Sequence, residues 1–387
     1  MGYSISSSLD KIPKSGIRRL FDLAQNMEGV ISLGIGEPDF NTPQNIVDAA
    51  IKALKENKTY YAPNSGLLEL RKAVSEKMKL DNKIDLSENE ILITVGGGEA
   101  LSLAIQSTIK TGDEIIVPSP SFVAYSPTIL LSGGKPIEVE CKEEENFILN
   151  PDSLEESITE NTNLLIINTP SNPTGAVMEK KDLEKIADIV QEYNLKVISD
   201  EVYEKLIYDG KIHTSMASLN GMENNVITIN SFSKTYSMTG WRVGYLSSKD
   251  ETLFDRMLKL HMYGPVCNNT FAQFGALEAL KGPQDSVYQM REEFKKRRDL
   301  LLKRIKEMNG VNAIKPEGAF YLFMNISETG MKSDEFSERL LNEEKVVTVP
   351  GSAFGPYSNS FVRLAYPLKA EKINEACDRI NKFLSKN

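Results

Sequence analysis

Short apolar runs recur along this chain, each broken by glycine, proline or a polar cluster and most of them set between helix-like stretches. That alternation leaves few folds open. EILITV (90–95) stops at Gly96, Gly97 and Gly98 before the helical EALSLAIQSTI, and DEIIVPSPSF stops at Pro118 and Pro120. NLLIINTPSNPTG ends in a proline-rich turn and precedes the helical DLEKIADIVQEYN; LKVISDEVY ends in acids, and NVITINSFSKT in hydroxyls and a lysine. Helical stretches also lie around 44–56 and 67–79. Strands and helices alternating in this way make an α/β sheet with crossover helices.

From about residue 283 the character changes. A long charged helix to about Met308 leads to GAFYLFMNI and FVRLAY, two strand-like runs with apolar helices around them, which is the pattern of a smaller α+β domain. The expected division is an N-terminal arm over 1–43 packing on the small domain, a large domain over 44–282 and a small C-terminal domain over 283–387. A chain of 387 residues, 41% hydrophobic and 26% charged, has the length and composition for such a multidomain globular protein.

Several function classes drop out on composition. No apolar run approaches the roughly 18 residues needed to span a bilayer. The start, MGYSISSSLDKIPKSG, lacks the apolar stretch of a secretion signal, so the expected location is cytoplasmic, away from membranes. With 45 basic and 54 acidic residues the net charge is −9, which disfavours nucleic-acid partners. Lys295, Lys296, Arg297 and Arg298 alternate with acids in REEFKKRRDLLLKRIKEM and read as the solvated face of an amphipathic helix. Cys141, Cys267 and Cys377 are too scattered for a disulfide framework or a CxxC site and read as free thiols. His213 and His261, far apart and without ligand-like neighbours in sequence, argue against a metal and against a histidine triad.

In an open α/β sheet, ligands bind beyond the carboxyl ends of the strands. The residues placed there are Gly97, Gly98, Phe122, Asn168, Asn172, Asp200, Tyr203, Ser231, Ser233 and Lys234. A lysine usually solvates a surface; one drawn into a pocket loses its proton and attacks a carbonyl to form a Schiff base. Asp200 can cap the following helix or, beside such a lysine, hold a proton on a pyridine nitrogen, as pyridoxal phosphate chemistry requires. The N–H groups of Gly98 and Glu99, opening a helix, can cradle a dianion or simply form a tight turn. Arg242 and the Ser231 and Ser233 hydroxyls can join that cradle; for Arg242 the alternative is a surface ion pair. Phe122 can cover a ring face or serve the core, while Asn172 and Tyr203 can bond a ring oxygen, Asn172 also being a good turn former before proline.

Together the motifs are far more specific than any member. LGIGEPDFNTP, YYAPNSGLLELR, TVGGGEA, NTPSNPTG, SDEVY, SFSKTYSMTGWRVG and FVRLAY, in this order, resemble the class I pyridoxal-phosphate-dependent aminotransferases of fold type I, from about residue 12 to the end. The details look most like the prokaryotic and archaeal aspartate and aromatic amino-acid branch. The resemblance implies a large domain with a mixed, mostly parallel sheet sandwiched by helices, and pyridoxal 5′-phosphate as cofactor. It makes Lys234 the Schiff-base lysine and proton carrier, and puts Asp200 at the ring nitrogen with Asn172 and Tyr203 at the ring oxygen. Gly98, Glu99, Ser231 and Arg242 then hold the phosphate. Arg363 matches the arginine that binds the substrate α-carboxylate, with the Gly36 backbone opposite and Asn172 assisting. Tyr61 matches the tyrosine that reaches the phosphate of the partner subunit's cofactor, which implies a homodimer with shared sites. Two departures stand out: Phe122 replaces the tryptophan of several relatives, and no second arginine is evident for a distal substrate carboxylate.

The implied reaction is transamination in two half-reactions, from an aromatic amino acid or aspartate to a 2-oxo acid such as 2-oxoglutarate. SGIRRLFDLA, ahead of Gly36, reads as an amphipathic lid. A C–S β-lyase or a cyclopropane-carboxylate synthase on the same fold remains the nearest rival. A non-catalytic pyridoxal-phosphate or amino-acid sensor would normally carry a DNA-binding module, for which the first 40 or so residues leave no room. A dinucleotide-binding oxidoreductase fares worse, because Gly34 and Gly36 are followed by Glu37-Pro38 instead of a third glycine opening a helix.

Overall fold

The computed structural model describes residues 12, 20, 23–25 and 27–386. Its larger sheet has seven strands, in the spatial order Ile91–Thr94, Gly244–Ser247, Val226–Ser231, Lys196–Asp200, Thr162–Asn168, Glu114–Ser119, Lys135–Glu140. Gly244–Ser247 runs antiparallel to both neighbours, and every other pairing is parallel. The central strands carry apolar side chains on both faces, as a sheet covered on both sides must. Leu164 and Ile166 pack with Leu101, Ile105 and Ile129 on one face, while Leu165 and Ile167 pack with Leu183, Ile186 and Val190 on the other. This is the period of two along a strand read out as two separate cores.

Helix Lys180–Glu192 shows why the covering elements form where they do. A capping box between Glu179 and Asp182 starts it, and Leu183, Ile186, Ala187 and Val190 recur at helical spacing to make its buried stripe.

A second sheet of four antiparallel strands, ordered Val349–Pro350, Phe361–Ala365, Tyr321–Asn325, Asn312–Ala313, packs against helices Asp285–Lys306, Ser333–Glu344 and Ala370–Leu384 through Phe294, Leu301, Phe336, Leu340, Ile373 and Phe383. Ile31–Ser32 pairs in parallel with Val346–Val347. Of the segment read as a lid, most lies outside the described residues; Leu20 is buried against Leu341 and Val347.

Two expectations from local sequence are corrected. Arg297 and Arg298 are not on a solvated helix face: both are buried. Arg297 pairs with Asp39 and Glu293, and Arg298 pairs with Asp209 and Asp299 while donating to the Pro316 carbonyl. His213, without ligand-like neighbours in sequence, stands beside Glu201 and Glu204 in space. Those carboxylates also accept from Lys77, Asn82, Ser199 and Ser215, which makes a hydrogen-bonded charge network. Cys141 and Cys377 are buried free thiols and Cys267 a half-buried one, and among the described residues no helix is long and apolar enough to cross a membrane.

The fold also decides what reaches the sheet's carboxyl edge. Because Gly244–Ser247 is reversed, the residues preceding it, Arg242 among them, lie at the edge where Thr94, Asp200 and Ser231 end their strands.

Candidate active site

A cleft of about 430 Å3 opens at that edge, and residues from both sheets line it. Lys234 sits on the short helix Phe232–Thr235, whose N-cap Ser231 accepts from the Ser233 N–H at 3.2 Å. Its Nζ donates to the Gly36 carbonyl at 2.5 Å. Burial, with the Arg363 charge adding to it, lowers the ammonium pKa to about 8, so deprotonation is far easier than for a solvated lysine.

Asp200 ends strand Lys196–Asp200 and is buried. Its Oδ2 accepts from the Tyr125 hydroxyl at 2.7 Å, and burial raises its pKa to about 6 even though that donor opposes the shift. A buried carboxylate held this way gains by facing a cation. The neighbouring Asn168 donates to the Asp200 carbonyl at 3.0 Å and accepts from the Asn172 N–H at 2.9 Å, fixing the turn that carries Asn172.

The N-terminus of helix Gly97–Thr108 faces the same space. Its N-cap, Gly96, has φ +77° and offers no side chain, so the first N–H groups of the helix are uncapped by any side chain. A Cβ at Gly96 would lie 2.6 Å from Arg242 Nη2, whereas one at Gly98 would meet nothing within 4 Å. Ser231 and Ser233 hydroxyls stand 3.0 Å apart beside this terminus, and Arg242 is anchored through the Thr239 carbonyl at 2.9 Å. Uncapped N–H groups, two hydroxyls and a guanidinium form a donor set suited to a phosphate dianion. Glu99 lends its N–H to the same terminus, but its carboxylate is engaged by the Val95 N–H at 2.5 Å and by His261 at 2.9 Å.

Arg363, on strand Phe361–Ala365, is buried and donates to Asn172 Oδ1 at 3.0 Å and to the Gly34 carbonyl at 2.7 Å. Its Nε has no hydrogen-bond partner among the described residues, so the fork retains donor capacity for a carboxylate. Phe122 lines the cleft edge-on to Tyr125, with ring centroids 5.6 Å apart.

The structure therefore gathers Gly36, Gly98, Phe122, Asn172, Asp200, Tyr203, Ser231, Ser233, Lys234, Arg242 and Arg363 around one cleft. Tyr61 stands apart, 85% exposed and outside it. Two residues were missed in sequence. Tyr125 lies three positions after Phe122, across a turn in which the Tyr125 N–H donates to the Phe122 carbonyl at 3.1 Å. Tyr321 is a lone hydroxyl in the apolar run GAFYLFMNI and meets the Tyr203 hydroxyl at 2.8 Å.

A donor set for a phosphate, a carboxylate for a ring nitrogen and a low-pKa lysine fit pyridoxal phosphate, and comparison with known proteins agrees. Residues 28–380 match the family described as aminotransferase class I and II. The chain is 49% identical over 384 residues to aromatic-amino-acid aminotransferase 2 of Thermococcus litoralis, covering 98% of both chains. It is 49% identical over 384 residues to an aspartate aminotransferase of Pyrococcus abyssi, again covering 98% of both. The crystal structure of an aromatic aminotransferase from Pyrococcus horikoshii superposes with a TM-score of 0.91 at 48% identity, over 95% of this chain and 99% of that one. With its cleft, its mixed sheet and its sequence in agreement over nearly the whole length, the chain belongs to the class I and II aminotransferases and is a pyridoxal-phosphate-dependent transaminase of fold type I.

Proposed function

We propose that this transaminase takes the amino group of an aromatic L-amino acid, or of aspartate, and passes it to 2-oxoglutarate in a ping-pong cycle. The names of the relatives support both donors. Arg242 and Arg363 are the arginines lining the cleft among the described residues, and phosphate and α-carboxylate occupy them, which favours the aromatic donor. The observation that carries the proposal is the placement of Lys234, Asp200 and Arg363 around one cleft.

Pyridoxal phosphate supplies an electron-withdrawing ring that makes the substrate α-proton acidic. The protein's part is positioning and proton movement. Gly98 and Glu99 N–H groups, Ser231, Ser233 and Arg242 hold the phosphate; Asp200 keeps a proton at the ring nitrogen; Phe122 covers one ring face; Asn172 and Tyr203 bond the ring oxygen. Arg363 grips the α-carboxylate, assisted by Asn172 and the Gly36 backbone, so that the α C–H bond points at Lys234. The Lys234 amine, freed of its proton near pH 8 in the absence of cofactor, carries the proton at the substrate α-carbon.

The same proposal includes a homodimer in which Tyr61 reaches the phosphate of the partner's site. Its support is the exposure of Tyr60, Tyr61 and Tyr263, large rings at 81–85% exposure, the kind of surface that marks an interface. The Thr270 hydroxyl holds the Tyr60 carbonyl at 2.6 Å, and Asn64 holds that of Val266 at 2.7 Å, so the surface is ordered within one chain. Sedimentation equilibrium should give twice the chain mass, and Tyr61→Phe should weaken cofactor retention about tenfold; a monomer would remove Tyr61 from the site. Division into an arm (1–43), a large domain (44–282) and a small domain (283–387), and a cytoplasmic location, belong to the same proposal.

The decisive experiment mixes the cofactor-loaded protein with tyrosine, phenylalanine or aspartate and no acceptor. Absorbance should move from the band at roughly 360–430 nm to that of the amino form near roughly 330 nm, fastest with an aromatic donor. No conversion with any of these donors, together with release of thiol, ammonia and pyruvate from an S-substituted cysteine, would make the protein a lyase instead.

A further inference from the structure

We propose that Tyr321 is a positioning residue for this reaction, one that locks the carboxylate-binding arginine and the ring-oxygen tyrosine into a single unit; the inference rests on the roles proposed above for Arg363 and Tyr203. Tyr321 opens strand Tyr321–Asn325, is 1% exposed and makes two polar contacts with its one side chain. Its ring carries the Arg363 guanidinium, 4.4 Å from the centroid. Its hydroxyl meets the Tyr203 hydroxyl at 2.8 Å, with the two rings edge to face at 82°.

Proton bookkeeping gives that contact a direction. A phenol has one proton to donate. When Tyr203 donates to the cofactor's ring oxygen, the short contact between the two hydroxyls is satisfied only if Tyr321 donates to Tyr203. Successive donors polarise one another, so the Tyr321 hydroxyl makes Tyr203 a stronger donor to the ring oxygen. The charges around the pair are Arg363 from the neighbouring strand and Asp200 and Lys234 from across the cleft.

The contact between the Arg363 cation and the Tyr321 ring has a separate consequence. A guanidinium lying on a ring face keeps its edge, with its donors, free to meet a carboxylate in plane. The Phe354 ring also lies beside the guanidinium, its centroid 5.1 Å from the same carbon. Gly36 also follows from Tyr321: a Cβ there would overlap the Tyr321 hydroxyl, and Gly36 is the residue whose carbonyl accepts from Lys234. Tyr321 thus touches the groups assigned to ring oxygen and carboxylate, and lies against the glycine that accepts from the lysine.

Two variants separate its two contacts. Tyr321→Phe removes one oxygen and keeps the stack; Tyr321→Leu removes both. Each is loaded with pyridoxal phosphate, the visible absorbance is titrated with pH, and steady-state kinetics are measured with phenylalanine. In Tyr321→Phe the absorbance midpoint should rise by about half a unit or more, because a less well-bonded ring oxygen holds the titrating proton more firmly, while KM changes by less than about threefold. In Tyr321→Leu the midpoint should rise similarly and KM should increase about tenfold. A role confined to packing would lower thermal stability and leave the midpoint in place. A Tyr321→Phe midpoint equal to wild type, or an unchanged KM in Tyr321→Leu, overturns the inference while the transaminase reading stands. Wild-type protein that binds the cofactor but converts with no amino donor overturns the proposed function and this inference with it.

Discussion

Asp200→Asn should slow transamination by about three orders of magnitude and, at the same time, stabilise the cofactor-free protein at neutral pH. At about 4 Å and an effective dielectric near 20, a carboxylate facing a ring cation contributes roughly 4 kcal/mol. Losing that from the transition state is a rate factor of about 10^3. The stability effect has the opposite sign. Burial raises the Asp200 pKa to about 6, above its unfolded value, so the folded chain binds more protons than the unfolded one between about pH 4 and 6. Stability is therefore lost as pH rises through that window and stays lost above it. About two pKa units correspond to roughly 3 kcal/mol, which the neutral amide would recover at pH 7 and which would vanish near pH 4. Single-turnover kinetics of the loaded enzyme and denaturant unfolding of the apoprotein at both pH values check the two halves. A rate loss below about tenfold would take Asp200 away from the ring nitrogen.

Lys234→Met should cost more, about 10^4-fold or greater in the first half-reaction, because one amine serves as both nucleophile and proton carrier. Stopped-flow absorbance should show amino acid binding without conversion; conversion at even a tenth of the wild-type rate would move the proton transfer to another group. Here too the apoprotein should gain stability at pH 7. Burial lowers the Lys234 pKa to about 8, below its unfolded value near 10.5, so below pH 8 the folded state carries the full penalty of a buried charge. The penalty fades as pH rises from about 8 to 10.5, and the advantage of the methionine variant should shrink over the same range.

Much of this site is legible in the sequence, for a physical reason: an open α/β sheet collects the residues that end its strands. Gly97 and Gly98, Asp200 and the Ser231–Lys234 turn follow apolar runs, so their convergence follows from the alternation of strand and helix. What stayed hidden depends on partners distant in sequence. The edge strand Lys135–Glu140 contains a proline and only one buried residue, so it gives little local signal. Strand Gly244–Ser247 has only four residues, and nothing local announces that it is reversed. The charges of Arg297 and Arg298 looked solvated because Asp39 and Asp209 lie 258 and 89 residues away along the chain. Tyr321 reads as a core aromatic until Tyr203, 118 residues off, is brought to its hydroxyl.

Those two buried arginines have a further consequence. Adjacent on one 22-residue helix, they engage two different segments that lead away from cleft residues. Arg297 clasps Asp39, three residues beyond Gly36, and Arg298 clasps Asp209 while stacking on Tyr208, on the loop that follows Tyr203. Both segments are thus paired to the same helix. The spacing between the Gly36 turn and the Tyr203 loop is therefore set by ion pairs to neighbouring residues of a single helix.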